Sequence, residues 1–144
     1  MTDNHKHERS IHVDAAVEDV FHHVEDPAHF VAALAPGHHA TLGAVNRTAD
    51  GAVSSFEFRY RDLGRERTAL VTREEYVPHR RLVNHTDVGP VHVFTVEPDG
   101  TGTTLTYGWD APRWMKALDA IFVHSDRDVE RALAFYKGEI EASG

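Results

Sequence analysis

Cysteine is absent from the 144 residues, and that one absence excludes disulfides, thiolate nucleophiles and thiolate-based metal sites together. Also missing is any apolar run near the ~18 residues a membrane-spanning helix needs, so no membrane insertion is expected. The opening stretch, Met1 to Arg9, is polar and histidine-rich rather than basic and then apolar, unlike an export signal. A cytoplasmic location is the expectation. Positive charge is scarce: 15 Lys and Arg against 23 Asp and Glu give a formal charge of -8. Nucleic-acid binding draws its non-specific affinity from Lys and Arg, so no nucleic-acid partner is expected. Arg59, Arg61, Arg65 and Arg67 make a local basic stripe, but Glu57, Asp62 and Glu66 interleave with it, as on a solvated strand face.

Catalytic signatures are equally sparse. The chain holds no Gly-x-Ser-x-Gly elbow, no glycine-rich phosphate loop and no His-Glu-x-x-His pair. His124, Ser125 and Asp126 are consecutive, so on a helix they point in different directions and form no triad. Glu74 and Glu75 are strand neighbours facing opposite sides, not a paired acid and base. Twelve histidines are present, with doublets at His22-His23 and His38-His39. Adjacent helical residues do not face each other, so His22-His23 is no chelating pair. Neither a functional metal nor a cofactor is expected. Protonating the histidines would carry the net charge through zero, which predicts poorer solubility or stability between about pH 6 and pH 5.

What is present is enough for one domain. With 41% hydrophobic and 26% charged residues, a chain of this length can bury a substantial core without staples. The domain is expected over residues 10–144, after a flexible polar N-terminus at residues 1–9. Ser10-Ile11-His12-Val13 alternates as a short strand, and Asp14 is placed to cap a following helix. Val17, Val20, Phe21 and Val24 recur at helical spacing. Asp26-Pro27 is a helix-entry signal for a second short helix whose buried side is Phe30 and Leu34, and Pro36-Gly37 ends it. From His39 to Trp109 the pattern is mostly strand. Turn chemistry recurs at Asp50-Gly51, Leu63-Gly64, Pro78-His79, Gly89-Pro90 and Pro98-Asp99-Gly100, at intervals suited to an antiparallel meander.

Strand parity then groups side chains. Phe56, Phe58 and Tyr60 share one face, His92, Phe94 and Val96 another, and Leu105, Tyr107 and Trp109 a third. Over Thr68 to Tyr76 and Leu82 to Val88 both faces are mixed and the sequence does not say which points inward. The last segment, about Arg113 to Glu141, places Trp114, Leu118, Ile121, Phe122, Val129, Leu133, Tyr136 and Ile140 on one helical stripe of about 40 Å. Ser125-Asp126-Arg127-Asp128 interrupts it, which predicts a kink or break. A sheet with a long helix across it encloses space that side chains or a ligand must fill.

Three stretches extend this reading to a family. Ile11-His12-Val13-Asp14-Ala15-Ala16-Val17-Glu18-Asp19-Val20-Phe21 with Asp26-Pro27, the hairpin from Val96 to Leu105 through Pro98-Asp99-Gly100, and the ending Ala132 to Glu141 occur in an order and spacing that resembles the START and birch-pollen-allergen-like superfamily, SRPBCC, in its polyketide cyclase/dehydrase and lipid-transport branch. The resemblance covers nearly the whole chain. It implies an α+β helix-grip fold: a curved antiparallel sheet of six or seven strands around a long C-terminal helix, with two short helices after the first strand. It also implies an internal cavity for a small hydrophobic or aromatic, lipid- or polyketide-like molecule, and it carries over no catalytic residue.

The cavity is expected to be lined by Phe56, Phe58, Tyr60, His92, Phe94, Tyr107, Trp109, Leu118 and Phe122, with Tyr60, His92, Tyr107 and Phe122 converging. The polar tips of Tyr60, His92 and Tyr107 on apolar faces can orient a ligand; equally, each can satisfy itself against backbone, as buried Tyr and His commonly do. His92 is the candidate catalytic residue of an alternative reading, a polyketide cyclase or aromatase working in the same cavity. A second alternative is a protein-interaction module of the chaperone-activator type acting through its outer surface. The ligand, any reaction and the oligomeric state are not legible in the sequence.

Overall fold

A computed structural model describes residues 5–34, 40–62, 64–87, 91–111 and 126–143. Seven strands, β1 (His5–Val13), β2 (Thr41–Arg47), β3 (Val53–Asp62), β4 (Arg65–Val77), β5 (Arg81–Thr86), β6 (Val91–Asp99) and β7 (Gly102–Ala111), alternate in direction. They form one antiparallel sheet in the order β1-β7-β6-β5-β4-β3-β2. Among the described residues, three helices, α1 (Val17–Glu25), α2 (Pro27–Leu34) and α3 (Asp126–Ser143), pack with it in an α+β helix-grip arrangement. Because β2 to β7 run as a meander and β1 returns to pair with β7, the first two strands lie at opposite edges. The two short helices bridge between them.

The turns fall where the sequence places them. Gly100, at φ 65°, lets β6 reverse into β7, a conformation that only glycine adopts without strain. Between β4 and β5 the corresponding residue is His79, a non-glycine at φ 62°. Its imidazole meets the edge of Phe21 at 5.9 Å, a contact that offsets part of the backbone cost. Gly102 is required for a different reason. A Cβ there would lie 2.5 Å from the Val13 carbonyl oxygen and 2.8 Å from the His12 ring, so β1 reaches β7 only because no side chain stands between them. Gly89-Pro90 and the segment 112–125, which holds most of the expected first half of the last helix, lie outside the described residues.

Helix α2 begins as its sequence dictates: the Ala28 N–H donates to Asp26 Oδ1 at 2.9 Å, just ahead of Pro27 in the first turn. Helix α1 does not begin as expected. Its N-cap is Ala16, without a side-chain cap bond. The carboxylate of Asp14 instead takes His12 Nε2 at 3.1 Å, while its own N–H donates to Glu141 Oε2 at 2.9 Å. Lys137 closes this clamp by donating to Glu141 Oε2 and to the His12 carbonyl, each at 2.7 Å, so the end of α3 is tied to the end of β1. Strand β1 is also longer than the Ser10 start implied. It begins at His5, and residues 5–9 of the segment read as a polar tail pair with β7.

The core lies between one face of the sheet and the helices. Phe56, Phe58, Tyr60, Phe94, Val96, Leu105 and Tyr107 all point into it, as the alternation predicts. Val20, Phe21 and Val24 of α1, Phe30 of α2, and Val129, Leu133, Tyr136 and Ile140 of α3 cover them. Each such side chain, fully buried, contributes about 1.5–3 kcal/mol relative to exposure. The stretch that the sequence left open resolves with Ala69, Val71, Leu82, Asn84 and Thr86 inward. A register shift between Arg73 and Glu75 reverses the parity of β4 beyond that point. Among the described residues, no helix is long and apolar enough to cross a membrane.

Candidate functional site

Residues directly opposite in an antiparallel pair share a face. That rule sets two inward rows: Leu82, Phe94 and Tyr107 across β5, β6 and β7, and Asn84 and His92 across β5 and β6. His92 and Tyr107 are therefore diagonal neighbours, within reach for aromatic side chains. Their rings lie 13° from parallel and the Tyr107 hydroxyl meets His92 Nδ1 at 2.7 Å. Which partner holds the proton follows the imidazole tautomer. Both residues are buried, His92 to 1% and Tyr107 to 4% exposure.

The pair is embedded in aromatic rings from four elements. Phe94 of β6 stacks on Tyr107 at 4.5 Å. Phe30 of α2 stands edge-on to His92 at 5.0 Å and to Phe56 of β3 at 5.7 Å. Tyr136 of α3 meets Phe94 edge-on at 5.8 Å. The Tyr136 hydroxyl is fully buried and has no hydrogen-bond partner among the described residues. Burial, and then the neighbouring Tyr107 phenol, hold its ionisation well above the ordinary tyrosine range, so it stays an uncharged hydroxyl.

A polar row flanks this cluster. Arg73 of β4 lies opposite Asn84, which lies opposite His92. Arg73 Nε donates to Asn84 Oδ1 at 3.4 Å, and its terminal nitrogen donates to the Glu25 carbonyl at 2.8 Å, anchoring the last turn of α1 to the sheet. Burial lowers the Arg73 pKa from its ordinary value, with Glu25 and Tyr76 opposing the shift. Since the guanidinium can only donate, it fixes which end of the Asn84 carboxamide faces it. The amide nitrogen of Asn84 is left fully buried and without a partner among the described residues.

The profile of the family described as polyketide cyclase/dehydrase and lipid transport matches residues 4–137. The chain belongs to that family. Its fold is shared with a START superfamily protein from Mycobacterium smegmatis, at TM-score 0.71 and 16% identity over 97% of this chain and 99% of that one. The AHSA1-like protein from Aeromonas hydrophila is similar at TM-score 0.64 and 18% identity, over 97% and 94% of the two chains. Ara h 8.0201 is similar at TM-score 0.69 and 9% identity, over 96% and 99%. These likenesses establish a common fold. A comparison with curated proteins gives no match.

Against this family fold, the expected site residues fall into three groups. His92, Phe94 and Tyr107 come together with Phe56 through the Phe30 ring. Phe58 and Tyr60 are inward and buried and pack on each other at 5.7 Å. They lie on β3, three strands from β6, about 14 Å along the sheet. Trp109 pairs through its backbone with His92; its side chain, and all of Leu118 and Phe122, lie outside what is described. Asn84 was not foreseen, because a lone asparagine in a strand of mixed faces carries no signal. Tyr136 was foreseen only as core.

This family member also has a surface pocket that parity could not show, since it joins separate helices. A pocket of about 330 Å³ between α1, α2 and the end of α3 is lined by Ala15, Asp19, His22, His23, His29, Ile140 and Ser143. His23 and His29 stack at 3.7 Å, and His29 Nδ1 donates to the His23 carbonyl at 2.8 Å. Burial, and then the nearby His29, lower the His23 pKa from its ordinary value. His22 points out to solvent. Among the described residues, no three His, Asp or Glu side chains gather as metal ligands.

Proposed function

We propose that the protein binds a small apolar or aromatic molecule between the inner face of the sheet and the C-terminal helix. The observation that carries this reading is the hydrogen-bonded His92 and Tyr107 pair, buried within a wall of Phe30, Phe56, Phe94 and Tyr136. A core needed only for stability gains nothing from desolvating an imidazole and a phenol. A ligand site combines such a wall with a few oriented polar groups. The family description, which joins cyclases and dehydrases with lipid transport, supports the same chemistry. Native mass spectrometry of gently purified protein, with titration of the apolar dye 1-anilinonaphthalene-8-sulfonate, tests it. A co-purified small molecule or saturable dye uptake near one equivalent is expected. The absence of both a retained molecule and saturable uptake would refute the proposal.

A second reading, a cyclase or aromatase in the same space, draws on the same pair. An imidazole bonded to a phenol at 2.7 Å can hold a proton and pass it to a bound chain folded against the aromatic wall. In that case His92→Ala lowers turnover by about 100-fold or more while affinity changes far less, because proton transfer is realised in the transition state. Equal losses in both would reduce His92 to a positioning residue.

A further inference from the structure

We infer that the interior selects ligands carrying a carbonyl or phenol oxygen over hydrocarbon chains, through the Tyr136 hydroxyl of α3 and the Asn84 amide nitrogen of β5. This rests on the binding reading above and specifies the chemistry of its ligand. Buried polar atoms in folded proteins are almost always paired. Both of these are shut off from solvent and have no partner among the described residues, and each belongs to a residue with 0% exposure. Each residue neighbours one member of the hydrogen-bonded His92 and Tyr107 pair. Tyr136 packs edge-on against Phe94, the ring that stacks on Tyr107, and its phenol lies near that of Tyr107. Asn84 faces His92 across β5 and β6.

The polarity of the unmet bonds sets the ligand class. Asn84 Oδ1 is already taken by Arg73 Nε, which leaves N–H donors, and an uncharged tyrosine hydroxyl also has a proton to give. The complementary group is an oxygen acceptor on a ring-sized apolar body. A saturated acyl chain would leave both donors unpaired, at the cost that attends any orphaned buried donor. A site built to hydrogen-bond its ligand discriminates sharply against the analogue that lacks the group.

The test uses two ligands of the same shape, 2-acetylnaphthalene and 2-isopropenylnaphthalene, which differ only in C=O against C=CH2. Their affinities for the wild-type chain, Tyr136→Phe and Asn84→Asp are measured by equilibrium dialysis. Tyr136→Phe removes one donor and nothing else. Asn84→Asp keeps an oxygen for Arg73 and removes the amide donors. The wild type is expected to prefer the ketone by about tenfold. Each substitution is expected to cut that preference by about three- to tenfold. The melting temperature of Tyr136→Phe should hold or rise, which a hydroxyl with a structural partner would not allow. Equal binding of both ligands by the wild type overturns the inference while leaving the binding reading intact. A preference undiminished in both variants also overturns it. Binding of neither ligand removes the site and the inference together.

Discussion

Two tyrosines of the core offer the same deletion with opposite consequences. Tyr107→Phe and Tyr136→Phe each remove one oxygen from a ring that is 4% and 0% exposed respectively, so the loss of apolar packing is negligible in both. The Tyr107 hydroxyl is bonded to His92 Nδ1 at 2.7 Å. Removing it takes away that nitrogen's partner inside an aromatic wall, which costs about 1–3 kcal/mol. At this chain length that is a fall of about 3–9 °C in Tm, taking ~3 °C per kcal/mol. The Tyr136 hydroxyl has no partner among the described residues. Its removal relieves a desolvation penalty of the same order, so Tyr136→Phe is expected to be neutral or stabilising by up to ~1 kcal/mol. Urea unfolding at pH 7.5 reads both effects as shifts in midpoint at constant slope. If Tyr136→Phe loses as much stability as Tyr107→Phe, its hydroxyl has a partner in the folded protein and the reasoning fails.

Other expectations follow from single contacts. Asp26→Ala removes the carboxylate that accepts from the Ala28 N–H at 2.9 Å and should cost about 1 kcal/mol of unfolding free energy by urea titration; no loss would show that α2 needs no cap. Gly102→Ala sets a methyl 2.5 Å from the Val13 carbonyl oxygen and should destabilise by at least ~1–3 kcal/mol. At Gly43 the nearest atom lies at 3.4 Å, so Gly43→Ala should be far milder, and equal effects would refute the close-approach argument. In acid, two histidines oppose each other. Burial and His29 depress His23, despite Glu139 and Asp26, so its contribution is present above its ordinary value near 6.5 and lost as pH falls through the folded value. Asp99 and Asp14 raise His12, so its contribution is full below that same value and lost as pH rises through the folded one. Melting curves from pH 8 to pH 5 should show His23→Phe flattening the acid loss and His12→Ala steepening it; identical pH profiles for all three proteins would refute both assignments.

The sequence spoke most clearly where alternation was strict. Phe56, Phe58 and Tyr60 between polar neighbours, and His92, Phe94 and Val96 after them, disclosed the inner face because each inward position was apolar or aromatic. It was silent over β4 and β5 for a physical reason. The inward set there includes Arg73, Asn84 and Thr86, and the register shift after Arg73 breaks the two-residue period. Parity fixes a face and leaves distance along the sheet open, so it placed Tyr60 inside and three strands from β6 without giving its separation from the His92 and Tyr107 pair. Asp14 looked like a cap because caps are local. The structure gives its carboxylate to His12, two residues back, and its backbone N–H to Glu141, 127 residues away, and no helix-capping pattern records either. The stacked His23 and His29 were hidden similarly, since only the angle between two helices brings residues of that spacing together.

The pairing of β1 with β7 also governs the order in which the molecule can assemble. From β2 to β7 every strand pairs with its sequence neighbour, so five hairpins can close over short loops at small entropic cost. The remaining seam joins His5 to Ala111 and Val13 to Thr103, and closing it must wait for most of the chain. Contacts of such long range slow folding. Until they form, the exposed edge of β7 is a template for another chain's strand. During synthesis the first strand emerges long before its partner and stays unpaired until β7 follows. The clamp of Lys137 and Glu141 on His12 and Asp14 then secures that late seam from the helix side. Weakening the clamp should therefore show first as slower refolding and more aggregation during it.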